Sequence, residues 1–260
     1  MRIATWNCKL ALDRKWARLQ SLGADLAIVQ ECASPDVLAA KGVPLDPSRT
    51  LWAAKSNAAN AHKGLGVFAG PGVDVRVAPQ WPEILERWSD QPHRLDLMLP
   101  VEVRGPRRLN VLAVWSFNNR DQRGKTRMPG PVLVAMEELK DWLLDAPSLV
   151  VGDFNNHGIW DKPKDENSFA RHLTAFDQLG FRSAYHHLNG CAHGDEVAHT
   201  HLWRAGMSYH IDYAFGPGAL LEGAACRLEP LDDWCGPGGV SDHAPLVLDL
   251  PISTEREVAA

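Results

Sequence analysis

Short apolar runs, most of them closed by polar or turn-forming residues, recur along the whole chain. Arg2 to Trp6 has the length and pattern of a strand. Asp25-Leu26-Ala27-Ile28-Val29-Gln30-Glu31 is an apolar run that ends polar. That is the pattern of a strand buried on both faces which delivers a side chain at its C-terminal end. Leu65 to Ala69, Val73 to Val77, Leu95 to Val103 and Leu109 to Trp115 predict four more strands. Gly70-Pro71-Gly72 turns the first pair, and the Gly-Pro within Arg104 to Arg108 makes a hairpin of the second. A longer period marks the helices. Asp13 to Leu22 places Trp16, Leu19 and Leu22 on one face, with Asp13 positioned to cap. Pro35 to Ala40 fits a short helix. Pro131 to Leu144 starts with proline and aligns Leu133, Met136, Leu139, Trp142 and Leu143. Asn167 to Leu179 is stopped by Gly180. Ser148 to Gly152, His199 to Trp203, His210 to Phe215, Ala224 to Leu228 and Pro245 to Leu250 complete the strands, and polar Asn118 to Gly130 reads as a loop.

Some strand pairs are joined by tight turns and others by helices. Two mixed sheets packed face to face, with helices outside, satisfy both patterns. No linker, repeat or low-complexity tract interrupts the pattern, so residues 1–252 are expected to form one α/β domain followed by a short flexible tail, 253–260. The 260 residues are 45% hydrophobic and 23% charged, the balance of an ordinary globular protein. A net charge of −5 argues against coating nucleic acid with bulk positive charge, though not against a local basic groove. Cys8, Cys32, Cys191, Cys226 and Cys235 are odd in number and lack Cys-x-x-Cys spacing, which points to reduced thiols. No signal-peptide pattern and no apolar run of membrane-spanning length are present. A cytoplasmic monomer with no membrane partner is the expectation.

The chemistry lies where apolar strands end. Asn7 follows Ile3-Ala4-Thr5-Trp6, Glu31 closes the second run, and Asp153 and Asn155 follow Leu149-Val150-Val151-Gly152. Asp242 and His243 precede Pro245-Leu246-Val247-Leu248, and Asp212 is embedded between Ile211 and Tyr213. A carboxylate beside a buried strand is costly unless its charge is compensated. Singly, Glu31 reads as a surface acid, Gly152-Asp153-Phe154-Asn155 as a turn and Ser241-Asp242-His243 as a strand entry. Asp212 is harder to dismiss, because strand interiors disfavour Asp. Taken together, four acids, two Asn and a His suggest convergence around a cation.

Thr5-Trp6-Asn7, Gln30-Glu31, Gly152-Asp153-Phe154-Asn155, Ile211-Asp212-Tyr213 and Ser241-Asp242-His243, in that order, resemble the successive motifs of the endonuclease/exonuclease/phosphatase superfamily, from residue 5 to residue 243. The resemblance implies a four-layered sandwich, two mixed sheets with helices on both outer faces, and a site at one edge of the sheets. It implies Mg²⁺ or Mn²⁺ held mainly by Glu31, helped by Asn7 and Asp242. It further implies Asp153 as the group that orients or deprotonates the attacking water, Asn155 as an amide on a phosphate oxygen, His243 as the imidazole on the phosphate and Asp212 as the carboxylate that orients it. The substrate would be a phosphodiester, DNA or RNA in the commonest case. A phosphatase, a lipid phosphodiesterase and a non-catalytic binding module are the alternatives.

One departure stands out. Trp115 takes the position where many members of that superfamily carry His or Tyr, and indole offers a single donor and no acid–base function. Asn118 is the nearest replacement. Lys63, just before a strand, could reach a phosphate or be a solvated turn lysine. The same choice applies to two basic loops, Arg104 with Arg107 and Arg108, and Arg120 with Arg123, Lys125 and Arg127. Trp203 could stack a base, with core packing the commoner use of tryptophan. His186, His187, His199, His201 and His210 invite a zinc reading, but no spacing fixes a ligand set and surface imidazoles account for them more simply.

Overall fold

The computed structural model describes residues 1–55, 63–89, 95–117, 129–204 and 206–252. Asn118, the Arg120–Arg127 loop and the 253–260 tail lie outside the described residues. The described strands are β1 (Arg2–Asn7), β2 (Leu26–Cys32), β3 (Thr50–Ala54), β4 (Gly64–Ala69), β5 (Asp74–Val77), β6 (Met98–Arg104), β7 (Leu109–Trp115), β8 (Ser148–Asp153), β9 (Phe181–Ser183), β10 (His201–Arg204), β11 (Met207–Tyr209), β12 (Asp212–Pro217), β13 (Ala225–Leu228) and β14 (Leu246–Asp249). They make two six-stranded sheets, ordered β13-β14-β1-β2-β4-β3 and β5-β6-β7-β8-β12-β9, and a separate β10–β11 hairpin.

Each sheet contains one parallel pair among antiparallel neighbours, β1 with β2 and β7 with β8. A parallel pair needs a crossover. Helix Leu12–Gln20 supplies the first, and the helical stretch 131–145 the second. The consequence is geometric: β1, β2, β7 and β8 all end at the same rim of the molecule. There their antiparallel neighbours β4, β12 and β14 begin.

Alternation along the strands builds a three-part core. Ile3, Leu26, Ile28, Leu65, Val67, Val111, Ala113, Leu149, Val151 and Ala214 pack between the two sheets. Their sequence neighbours Ala4, Ala27, Val29 and Val247 pack outward with Leu12, Leu19, Leu38 and Trp234 of helices Leu12–Gln20, Pro35–Ala40 and Leu231–Cys235. Leu112, Val114, Val150, Tyr213 and Phe215 pack outward on the other side, against Ile84, Val132, Leu139, Leu143, Phe169 and Phe176. This is the four-layered sandwich, with helices outside both sheets. Burying an aliphatic side chain contributes roughly 1.5–3 kcal/mol, and a one-residue slip would exchange the faces. The register is therefore strongly determined, and with it the side chains at the rim.

The predicted helix Pro131 to Leu144 is divided into Pro131–Glu138 and Lys140–Asp145. The chain leaves helical geometry at Leu139 (φ −105°, ψ 10°), yet Leu139 N still donates to Ala135 O and Leu143 N to Leu139 O. Leu139 and Leu143 remain buried against the sheet as the periodicity requires. The edge strand β3 and the three-residue β9 and β11 carry too little alternation to be read from sequence. All five cysteines are free thiols, as expected.

Gly152 is where strand geometry and glycine are inseparable. Its φ is +150°, and a Cβ there would lie 1.9 Å from Val114 O in the neighbouring β7. Gly152→Ala should destabilise the fold by more than ~2 kcal/mol, the scale of forced overpacking, as a lowered midpoint of urea unfolding. An unchanged midpoint would show that β7 and β8 are not so closely held.

Candidate active site

Strand parity explains which side chains meet at the rim. Thr5 and Asn7 continue the inward series begun by Ile3, Asp153 continues Leu149 and Val151, Trp115 continues Val111 and Ala113, and Asp212 precedes Ala214. All point into the gap between the sheets. Asp153 and Asp212 are direct cross-strand partners on β8 and β12, and Trp115 is the parallel partner of Asp153 on β7.

Glu31 has the wrong parity, since Ala27 and Val29 face the helices. A bulge corrects it: the β2–β4 register shifts between Gln30 and Cys32, and Glu31 itself adopts φ +58°. A non-glycine residue in the left-handed region costs of order 1–3 kcal/mol and persists where the surroundings over-determine it. Here the bulge brings the Glu31 carboxylate to Asn7, whose Nδ2 lies 3.5 Å from Oε1. Lys63 Nζ meets Glu31 Oε2 at 2.6 Å, so Lys63 belongs to the site through Glu31.

Asn7 is the bridge. Its Nδ2 also donates to Asp153 Oδ2 at 3.0 Å, and its Oδ1 accepts the backbone N–H of Lys9 at 3.1 Å. Lys9 Nζ in turn holds Asp242 Oδ2 at 2.9 Å. Asn155 (φ +47°) wraps Asp153: its backbone N–H donates to Oδ1 at 2.9 Å and its Nδ2 to Oδ2 at 2.9 Å, while the same Nδ2 reaches Ser116 O at 2.9 Å. Both amide protons of Asn155 are thus engaged in holding Asp153 and the end of β7.

His243 Nδ1 donates to Asp212 Oδ2 at 2.8 Å. The segment that carries it is fastened on three sides. Trp6 Nε1 donates to His243 O, Ser241 Oγ donates to Asn7 O, and Ala244 N donates to Thr200 O. Thr200 Oγ1 accepts the backbone N–H groups of Ile211 and Asp212. The donor atoms of Asp153, Asp212 and His243 all lie within 4.8 Å of one another, and all three residues are buried.

Electrostatics follow from that crowding. Burial, then the neighbouring Asp212 charge, pushes the Asp153 carboxylic acid up to about 7, against the pull of His243 and Asn7. Burial opposes charging His243, but Asp212, by charge and by hydrogen bond, outweighs it and raises the imidazolium to about 9, with help from Asp153 and Asp242. Asp242 is opposed by burial, yet His243 and Lys9 hold it below the usual carboxylate range.

Trp115 is buried, tilted against Phe117 at 4.9 Å, and its Nε1 has no partner among the described residues. Lys55 Nζ lies over the Phe117 ring at 4.6 Å and over Trp115 at 5.7 Å. His201 stands beside the pair: its ring is 4.5 Å from His243 and its Nδ1 has no partner among the described residues. Beside Asn155 opens a cavity of ≈ 270 Å³ walled by Phe117, Trp160, His201, Trp203, Tyr209 and Ile211. Trp203 is 53% exposed, so it forms part of this wall and not of the core. Trp160, Tyr209, His201 and Lys55 are drawn from loops and a hairpin, and no strand-end pattern marks them. The hairpin residues 105–108 start β7 at the end opposite Trp115, roughly 20 Å away at ~3.3 Å per residue. Arg104, Arg107 and Arg108 therefore do not serve this rim. His186, His201 and His210 are buried, which overturns the reading of the histidines as surface groups.

No family model matches the chain, and no curated protein matches its sequence at a significant level. Solved structures do match its fold. A 3′ phosphatase from Neisseria bound to a product DNA hairpin superposes with TM-score 0.65 at 16% identity, over 96% of this chain and 99% of that one. An AP endonuclease from Archaeoglobus fulgidus gives TM-score 0.62 at 15% identity, over 97% and 100%. An endonuclease/exonuclease/phosphatase from Beutenbergia cavernae gives 0.56 at 16%, over 97% and 71%. The fold is that of the endonuclease/exonuclease/phosphatase proteins.

The His243–Asp212 contact makes a spectroscopic prediction. The folded imidazolium is raised, so His243 should remain protonated through neutral pH and lose its proton only near 9. Asp212→Asn removes the two chief raising influences, and the titration should move to lower pH. NMR of the ring, labelled at nitrogen, reads both; an unmoved titration in Asp212→Asn would refute the pairing.

Proposed function

We propose that the chain is a divalent-metal-dependent phosphodiester hydrolase, a nuclease in its leading form, acting at the rim formed by Asn7, Glu31, Asp153, Asp212 and His243. The observation that carries this is the state of Asp153: a buried carboxylate oriented by three N–H groups from Asn7 and Asn155, cross-strand from a carboxylate that is itself paired with an imidazole.

The donor set suits Mg²⁺ or Mn²⁺. Glu31 and Asp242 offer anionic oxygens and Asn7 an amide, hard ligands of the type such ions take. Glu31 is brought to Asn7 by a strained bulge and is balanced by Lys63, as expected of a charge placed for something other than packing. When bound, the cation supplies positive charge to a phosphate oxygen and to the developing oxyanion.

The remaining steps belong to side chains. Asp153, poised near neutrality, takes the proton of the attacking water. Asn7 and Asn155 fix its two oxygens, so that its lone pairs face one direction. His243, its Nδ1 committed to Asp212, presents Nε2–H to the phosphate, and charge at that imidazole stabilises the transition state. In this arrangement Asn155 acts by positioning Asp153. The aromatic cavity beside Asn155 receives the group attached to one side of the phosphate. Stacking of a base on Trp203 or Tyr209 would contribute ~1–3 kcal/mol, and Lys9 and Lys63 sit at the rim as the partners of Asp242 and Glu31. The DNA hairpin held by the Neisseria neighbour supports a nucleic-acid strand as substrate.

The test is a panel of bis-p-nitrophenyl phosphate, p-nitrophenyl phosphate, single- and double-stranded DNA and RNA, each with Mg²⁺, Mn²⁺ or EDTA. The diester and at least one nucleic acid should be cut with either metal and none with EDTA, and Glu31→Gln should lose metal affinity by calorimetry. Cleavage of the monoester alone would mean a phosphatase. No cleavage of any member, or hydrolysis that survives EDTA, would overturn the proposal.

A further inference from the structure

On the other side of β12 from the rim lies a second gathering of ligand-type side chains that the reaction above does not use. His186, on helix Ala184–Asn189, sets its Nε2 2.9 Å from Glu196 Oε1. His193 stacks on the His186 ring with centroids 3.7 Å apart. The donor atoms of His186, His193 and Glu196 lie within 4.8 Å of one another. The Glu196 side chain is 3% exposed.

The surroundings have the form of ligand support. His186 Nδ1 is 2.7 Å from Ser183 Oγ, which fixes the ring and leaves Nε2 directed at the cluster. His157 accepts the backbone N–H of Ile159 on Nδ1, so its proton sits on Nε2, 3.6 Å from Glu196 Oε2. His157 is therefore an orienting neighbour of the carboxylate, not a ligand. His210 is fully buried, with Nδ1 3.4 Å from Ala198 O and no partner on Nε2 among the described residues. Its ring is 5.1 Å from that of His186. His193 Nδ1 is likewise buried and unpartnered. Two imidazole nitrogens left bare beside a buried carboxylate are a costly arrangement for a core.

We propose that His186, His193 and Glu196 form a second metal site, separate from the rim, for Zn²⁺ or another borderline divalent ion, with His210 Nε2 or a water as the fourth donor. Two imidazoles, a carboxylate and one further position make a tetrahedral zinc set, whereas nitrogen donors suit Mg²⁺ poorly. The three ligands come from a helix and from the loop that follows it, and His210 comes from the entry to β12. An ion there ties loop 190–200 to β12. That loop ends at Thr200 and His201, the residues that hold the backbone of Asp212 and flank His243. The site's task is thus to hold Thr200 and His201 in place beside Asp212 and His243, without touching the substrate.

Metal-stripped full-length protein should be titrated with Zn²⁺ by calorimetry, with bound metal counted by elemental analysis in excess Mg²⁺ and thermal unfolding followed alongside. His193→Ala and Glu196→Gln should each bind one zinc fewer than the unmodified chain and lose most of the zinc-dependent rise in Tm. His187→Ala, an exposed neighbour outside the cluster, should lose neither. Glu31→Gln should keep this equivalent, which separates it from the rim. Co²⁺ substitution should give tetrahedral ligand-field absorption that disappears in His193→Ala. Should either variant fail to fold, the unmodified chain still decides: absence of that absorption, or of any zinc held against excess Mg²⁺, would overturn the proposal. Equal zinc binding in folded His193→Ala would overturn it as well.

Discussion

Everything at the rim depends on keeping two carboxylates and an imidazole together out of water. Asp153 and Asp212 face each other across an antiparallel ladder with both side chains buried, and the imidazole of His243 lies within 4.8 Å of both. Removing one partner of such a group leaves an uncompensated buried charge, a loss of ~3–5 kcal/mol. The protein balances the group by raising the proton affinity of both Asp153 and His243 and by supplying neutral donors from Asn7 and Asn155 to the remaining oxygens. The residual strain is chemically useful. A carboxylate that is readily protonated is a better base, and an imidazole that stays charged is a better partner for phosphate.

The sandwich exists in the form that makes this possible. Two parallel crossovers send four strand ends to one rim, and face-to-face packing of the sheets turns inward-facing positions at those ends toward each other. Only Glu31 needs a correction, and the chain applies it as a bulge with a left-handed residue. Inward parity continues past the last hydrophobic residue of each strand, so the same alternation that fills the core also aims Asn7, Trp115, Asp153 and Asp212. His243, the member of the group that no strand carries, is held instead by hydrogen bonds that fasten its loop to Trp6, Asn7 and Thr200.

Much of this was legible in the sequence because it is written in strands. Apolar runs located β1, β2, β7, β8, β12 and β14, and polar residues at their ends located the rim. What could not be read has a common cause: it depends on non-local geometry. The short edge strand β3 has little pattern. The Lys63–Glu31 and Lys9–Asp242 pairs and the place of His201 beside His243 arise from loops converging in space. So does the aromatic wall of Trp160, Trp203 and Tyr209. Trp203 illustrates the limit, since tryptophan is usually core, and the β10–β11 hairpin, standing apart from both sheets, leaves this one exposed. The buried histidines failed for the same reason: His186 packs on His210 and His201 on His243, contacts between segments distant in sequence.

The most direct measurement is a double-mutant cycle on turnover of bis-p-nitrophenyl phosphate with Mn²⁺, comparing the unmodified chain, Asp212→Ala, His243→Ala and the pair. Because the two residues act as one unit in a desolvated site, each single change should cost roughly two to three orders of magnitude, and the double change little more. Losses that multiply in the double variant, or a single variant that turns over at the unmodified rate, would contradict the account.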